Sequence, residues 1–310
     1  MYKIFISFLL LFTCLASLAQ NSETVYLDAS DSSSNLYVTV TPTLKPFKGL
    51  LVLVPGMFQK AADVLIQTDL PKYAAQKGLL TIIPTFKNGV GAFGIDSVTQ
   101  FSLLELLQHL NKQYPVQGLP LYLGGFSIGG SCAIKYAELA KANNYKIKPA
   151  AVFAIDAPLD FERMYRNMLR ETRLPNSDPA AVEESKYMLK YFLQELGGTP
   201  DEAPDQYEKI SPYLFRDTTQ RAIRLLLGTP VRLYTEPDVE FWLKMGVDYS
   251  LMNAFDLAAF YNELLRLGHS NISLILTTNK GYRQPGNVRF PHAWSIAEPA
   301  ELVKWLMTQK

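Results

Sequence analysis

Leu121-Tyr122-Leu123-Gly124-Gly125-Phe126-Ser127-Ile128-Gly129-Gly130, followed by a helical run from Cys132 to Ala140, is the stretch on which the reading of this chain turns. The first three residues read as a short buried strand and the run after Gly130 as a helix. Between them stands a serine with a pair of glycines to either side. A serine at a sharp strand-to-helix turn occupies a strained backbone conformation that small neighbours relieve. The helix that starts beside it aims free N–H groups and a partial positive charge at the serine oxygen. A bare Gly-x-Ser-x-Gly pattern is common by chance, and a plain glycine-rich turn is the competing reading. The strand before it and the helix after it give this one its weight.

Working outward, Gly49 to Val54 is continuously apolar rather than alternating, which suits a strand buried on both faces of a mostly parallel sheet. Leu79 to Ile83, Leu121 to Leu123, Ala151 to Ile155, Val231 to Tyr234 and Ile272 to Leu276 repeat the pattern, separated by longer helical stretches. The spacing predicts an α/β fold with a mostly parallel central sheet flanked by helices. Leu103, Leu106, Leu107 and Leu110 follow the rhythm of an amphipathic helix, and Ala258, Tyr261, Asn262 and Leu265 follow it less cleanly. Thr24 to Leu27 and Leu36 to Thr41 read as an antiparallel pair at the sheet edge, joined by the polar turn 31–35. About 161–229 breaks the alternation with helices and no clear strand, and is a candidate helical cap inserted into the domain. Within it Leu189, Phe192, Leu193 and Leu196 form an apolar face that Gly197-Gly198 and Pro200 terminate.

The glycine-flanked serine in its strand-to-helix setting resembles the nucleophile elbow of the α/β-hydrolase superfamily. That resemblance spans nearly all of the chain beyond the N-terminal leader, is specific at the elbow, and is architectural elsewhere. It implies a nucleophile followed in chain order by an acid and then a histidine. A hydroxyl attacks only when a neighbouring base takes its proton, and histidine is the usual base because its pKa lies near neutrality. Of the 3 histidines, His109 lies well round its helix from the leucine stripe and is expected at the surface. His269 precedes the last strand, the wrong end of an open parallel sheet, whose ligands bind beyond the strands' carboxyl ends. His292 follows the last strand in Arg289-Phe290-Pro291-His292-Ala293-Trp294, after the glycine-bearing loop 281–286, and is the candidate base. A surface loop histidine is the plainer reading.

The acid is open among several carboxylates. Thr235-Glu236-Pro237-Asp238 follows the strand 231–234 and resembles the superfamily turn that ends in the triad aspartate, which makes Asp238 the first choice. Glu236 reaches the same region, and Asp156 ends the preceding strand, a place some hydrolases use instead. Asp248, inside an apparent extra segment at 239–254, is a remote candidate, and a plain turn aspartate is the ordinary reading of Asp238. The oxyanion hole needs two backbone donors: Ile128 directly after the serine, and Met57, with Phe58 its neighbour, in the turn Pro55-Gly56-Met57-Phe58. Pro55 stands where the superfamily carries a histidine, which leaves a backbone donor unaffected.

Together these residues imply acyl transfer to water, with Ser127 as nucleophile, His292 moving protons and Asp238 steadying it. The expected activity is hydrolysis of carboxylic esters. A serine peptidase or amidase on small peptides is the alternative, and a non-catalytic binding protein on a hydrolase scaffold is the third reading. No metal or redox cofactor is expected, since the sequence has no His-Glu-x-x-His, no cysteine cluster and no dinucleotide-binding glycine motif after the first strand. Tyr165, Tyr187, Tyr191, Phe192, Tyr207, Tyr213 and Phe215 make the cap aromatic, suited to an apolar acyl or aryl group or simply to its own core. Arg283 and Arg289 flank His292 in sequence and are candidates to receive a carboxylate, although solvated loop arginines are commoner.

Residues 1–19 carry one charge, Lys3, then an apolar run, and end Ser17-Leu18-Ala19, the layout of a cleavable secretory signal with Gln20 as the expected mature N-terminus. The run is short for a membrane span and no later stretch is long enough. Cys14 raises a lipoprotein reading that Phe12 and Thr13 fit poorly. After cleavage only Cys132 remains, so no intrachain disulfide is expected. With Lys3 gone the 30 basic residues fall to match the 29 acidic ones, and a neutral chain argues for a small-molecule ester or amide as partner and against nucleic acid.

Overall fold

The computed structural model describes residues 21–28, 30–175 and 177–309. The expected leader, with Cys14 and the cleavage point before Gln20, lies outside the described residues. One sheet contains β1 (Asn21–Tyr26), β2 (Leu36–Thr41), β3 (Gly49–Val54), β4 (Leu79–Thr85), β5 (Leu121–Phe126), β6 (Ala151–Ile155), β7 (Val231–Thr235) and β8 (Ile272–Leu276), in the spatial order β1-β2-β4-β3-β5-β6-β7-β8. β1 and β2 pair antiparallel, as do β2 and β4, and every pair from β4 through β8 is parallel. This is the mostly parallel α/β sheet expected from the sequence, with the antiparallel pair at its edge. A two-stranded hairpin, β9 (Tyr282–Arg283) with β10 (Val288–Arg289), occupies what reads in sequence as an open glycine-bearing loop.

Eleven helices are described: α1 (Ala61–Gln67), α2 (Leu70–Gln76), α3 (Ser97–Gln113), α4 (Ile128–Ala142), α5 (Phe161–Glu171), α6 (Pro179–Leu196), α7 (Pro204–Ile210), α8 (Arg221–Arg224), α9 (Val239–Lys244), α10 (Asn253–Arg266) and α11 (Pro299–Leu306). They cover both faces of the sheet, which is why its central strands are apolar without alternation. Leu50, Val52 and Val54 of β3 share one core with the α3 leucines and with α4 and α10. Leu51 and Leu53, one residue out of phase, share the other with α1, α2 and α11.

Several elements depart from the sequence reading. β8 is only half-buried and Leu276 is exposed, because only β7 pairs with it and the described sheet ends there. α10 buries Ala254, Asp256, Leu257, Phe260 and Leu264, leaving Leu265 exposed, so its inner stripe is rotated by about one position, roughly 100°, from the face the apolar pattern marks. The charged Asp256 inside that stripe hides it from a hydrophobic count. Its carboxylate is fully buried, accepting hydrogen bonds from the backbone of Leu159 (2.9 Å) and Asp160 (3.0 Å) and pairing with Arg163. His109 is half-buried rather than surface, its ring 6.1 Å from that of Tyr37.

Between β6 and β7 the chain forms α5 to α8 and, among the described residues, no strand, in the stretch that the sequence marks as an insertion. These helices share a core in which Phe161, Tyr165, Phe192 and Tyr207 meet Phe93 and Ile128 of the main domain. The segment between β7 and α10, with α9 and the turn Tyr249–Leu251, is tied to α5. Arg170 pairs with Asp248, and Arg163 and Asn167 donate to the Ser250 carbonyl. Asp256 is the keystone of this tie. Asp256→Ala leaves the Arg163 charge without its carboxylate and two buried N–H groups without their acceptor, and is expected to lower the unfolding free energy by about 3–5 kcal/mol. Urea unfolding followed by circular dichroism measures it, and a loss below about 1 kcal/mol would contradict this role.

Candidate active site

The site is assembled at the carboxyl edge of the parallel strands, and Ser127 is its centre. β5 ends at Phe126, α4 begins at Ile128, and Ser127 between them has φ 54° and ψ −128°, a conformation that L side chains rarely adopt. Two backbone bonds hold it there: Ser127 N–H donates to the Ile155 carbonyl (2.8 Å), and the Ser127 carbonyl accepts from Gly130 N–H (2.9 Å). The glycines are required by contact. A Cβ at Gly129 falls 2.1 Å from the Val54 carbonyl oxygen, one at Gly125 falls 2.4 Å from the same atom, and one at Gly130 falls 2.8 Å from Ala157 Cβ. The end of β3 and the first turn of α4 thus touch backbone to backbone.

His292 and Asp156 meet beside the serine. His292 Nδ1 lies 2.7 Å from Asp156 Oδ2, and its ring packs on Phe126, centroids 4.4 Å apart. Asp156 is buried directly after β6, the strand next to β5, at a positive φ of 46°. Its other oxygen accepts from Thr235 Oγ1 at 2.6 Å, and its carbonyl accepts from Asn253 Nδ2 at 2.9 Å. Ser127 and His292 line the same two adjoining cavities. No hydrogen bond joins Ser127 Oγ to His292 among the described residues, and such bonds are commonly long until substrate binds.

Asp238, the first choice for the acid from sequence, is not at the histidine. Its carboxylate caps α9 by accepting from Phe241 N–H (3.1 Å) and pairs with Arg289 (2.5 Å). Glu236 is buried and also committed: it accepts from Thr277 Oγ1, Lys280 N–H and Gly281 N–H and pairs with Arg289 at 2.6 Å. These bonds fasten the base of the β9–β10 hairpin, the stretch that delivers His292. Asp248 is occupied by Arg170 and by the Ser250 N–H. The carboxylate that the fold brings to His292 is therefore Asp156, because β6 ends nearer to the elbow strand than β7 does. His269, as its place before β8 implies, is remote, with Nε2 2.9 Å from the Thr229 carbonyl.

Two backbone donors flank the serine. Ile128 N–H opens α4 and has no intrahelical acceptor, and Met57 N–H has no protein acceptor among the described residues. Phe58 N–H, by contrast, donates to the Val90 carbonyl at 2.7 Å. Gln59, which no pattern in the chain singles out, links this turn to the histidine loop. Its Oε1 accepts from Gly56 N–H (3.2 Å) and from Trp294 Nε1 (3.0 Å). Of the aromatic residues in the insertion, Tyr165, Phe192, Tyr207 and Tyr213 are buried in cores, whereas Tyr187 borders a cavity at the serine.

No protein-family model matches the chain and no curated protein matches its sequence. Solved structures do match. A fluorophosphonate-binding serine hydrolase of Staphylococcus aureus superposes with TM-score 0.57 at 15% identity, over 93% of this chain and 98% of that one. An S-formylglutathione hydrolase of Agrobacterium tumefaciens gives TM-score 0.54 at 13% identity, over 94% and 98%. An acylaminoacyl peptidase of Pyrococcus horikoshii gives TM-score 0.52 at 14% identity, over 87% of this chain and 38% of that one. The chain has the α/β-hydrolase fold.

The glycine contacts make a measurable demand. Gly129→Ala forces backbone atoms apart and is expected to destabilise the protein by about 3 kcal/mol or to prevent folding. Gly91→Ala, whose Cβ meets only Phe58 at 3.5 Å, is expected to shift the unfolding midpoint little. Equal midpoints for the two variants would show that the elbow is looser than the contacts require.

Proposed function

We propose that this protein is a serine hydrolase that cleaves carboxylic esters through Ser127, His292 and Asp156. The observation that carries the reading is the 2.7 Å bond between His292 Nδ1 and Asp156, formed beside a serine in a strained elbow. With Nδ1 held by the carboxylate, Nε2 is the ring nitrogen left to act as base. Ser127 Oγ attacks the ester carbonyl carbon while its proton passes to His292 Nε2. The negative charge that builds on the carbonyl oxygen is met by the N–H groups of Met57 and Ile128. Collapse of this intermediate breaks the bond to the alcohol, which leaves with the proton from His292. Water then attacks the acyl-enzyme with His292 again as base, releasing the acid and restoring Ser127. Asp156 keeps the imidazole in the productive tautomer and stabilises its charged form.

The leader-like residues 1–19 support export as part of this proposal, and the mass of the mature protein, expected to begin at Gln20, tests that part. The chemistry is tested with p-nitrophenyl esters. Ser127→Ala is expected to reduce kcat to near background, and Asp156→Asn to reduce it by about three to four orders of magnitude. Asp238→Asn keeps a good helix cap and is expected to stay within a few-fold of wild type. Ester hydrolysis that survives Ser127→Ala, or an equal loss in the two aspartate variants, would overturn the assignment. Turnover confined to aminoacyl amides would move the substrate class from esters to amides.

A further inference from the structure

Two spaces meet at the serine. One, of about 370 Å³, includes Met164, Met168, Trp242 and Leu251 in its walls, and the other, of about 580 Å³, is bordered by Met57, Phe58, Ile66 and Tyr187. Among the described residues only four line both: Ser127, His292, Glu184 and Arg283. A substrate held for attack at Ser127 therefore lies in spaces that a carboxylate on α6 and a guanidinium on β9 also border.

The two arginines of the histidine loop have different fates. Arg289 is neutralised, pairing with both Glu236 and Asp238 and donating to the Gly281 carbonyl at 2.9 Å. Arg283 has no carboxylate within ion-pair distance, 4.0 Å, among the described residues. Its Nε and Nη2 instead donate to the carbonyl of His292, at 3.1 and 3.0 Å, and its guanidinium stands 3.7 Å from the centre of the Phe290 ring. The head group is thus fixed in place with Nη1 free of protein hydrogen bonds among the described residues. Partial burial pushes its pKa below the usual guanidinium value, while the more distant Glu184 carboxylate acts in the opposite sense. It remains charged, open to solvent and without a carboxylate partner among the described residues, next to the backbone of the proposed base.

We infer that Arg283 is a specificity-determining residue that receives a carboxylate of the substrate, so that the preferred esters carry one in their acid or alcohol part, close to the scissile carbonyl. This rests on the serine-hydrolase reading. A fixed planar guanidinium matches a carboxylate in geometry as well as charge, and such charge-assisted bonds are about twice as strong as neutral ones. Glu184, which lines the same two spaces, repels such a ligand and tunes the preference down.

The experiment compares kcat/KM for charged and neutral esters. The p-nitrophenyl monoesters of succinate and glutarate are set against p-nitrophenyl butyrate for a carboxylate in the acid part. For one in the alcohol part, 4-carboxyphenyl butyrate is set against its methyl ester. In at least one pair, Arg283→Gln is expected to lower the charged-to-neutral ratio about tenfold and Glu184→Gln to raise it a few-fold. Arg283→Lys, which keeps the charge and loses the fork, is expected to retain part of the ratio. Arg283 also supports the His292 backbone, and a purely supporting role would lower both members of each pair equally. Ratios unmoved by Arg283→Gln in both pairs would overturn the inference, as would a ratio that falls in Glu184→Gln. If wild type cleaves none of these esters, charged or neutral, the hydrolase reading itself fails, which separates the two failures.

Discussion

The backbone contact between the end of β3 and the first turn of α4 is the constraint from which the site follows. Gly125 and Gly129 admit the Val54 carbonyl oxygen to where side chains would otherwise stand, at 2.4 and 2.1 Å from the positions their Cβ atoms would take. That approach forces the chain to turn within one residue, which leaves Ser127 at positive φ at the tip. It also sets the turn after β3, with Met57, against the helix start at Ile128, so two free backbone donors flank one serine. None of this depends on long side chains, and backbone donors lose little freedom when a charge forms beside them.

The features legible in the sequence are those whose cause is local. A strand-to-helix turn with paired glycines announces itself, and continuous apolar runs announce strands covered on both faces. Similarly, His292 is singled out by chain order alone. The carboxylate that meets His292 was not legible, because Asp156 and Asp238 both follow parallel strands and differ only in how far each strand lies from the elbow and in what else competes for the carboxylate. Asp238 is claimed by Arg289 and the first turn of α9, interactions invisible without the fold. The hint that was available is adjacency: β6 pairs with β5, so a residue directly after β6 starts out closer to Ser127. The face of α10 failed for a related reason. Its buried stripe includes a charged residue, Asp256, that serves the neighbouring chain rather than the core.

Carboxylates at this end of the sheet divide the work. Asp156 faces the histidine, Glu236 gathers the backbone below the β9–β10 hairpin, Asp238 shares Arg289 with Glu236, and Asp256 joins α10 to α5. Each of these four charges is answered by an arginine, a histidine or backbone N–H groups, as burial requires. Glu236 and Asp256 thus hold the hairpin and the helical insertion against the same sheet edge on which Ser127 stands. The insertion keeps most of its aromatic side chains for its own packing, and its polar and sulfur-bearing residues, Glu184, Met164 and Met168, reach the cavities.

The most direct test of an activated serine at this elbow is covalent. A fluorophosphonate probe reacts with a serine only when its hydroxyl is deprotonated by a neighbouring base and the new oxyanion is held. Intact-mass analysis of the labelled protein, with peptide mapping of the adduct, is predicted to show one equivalent bound at Ser127, lost in Ser127→Ala and in His292→Ala. A folded wild-type protein that takes up no probe, or one labelled at another serine, would contradict the account.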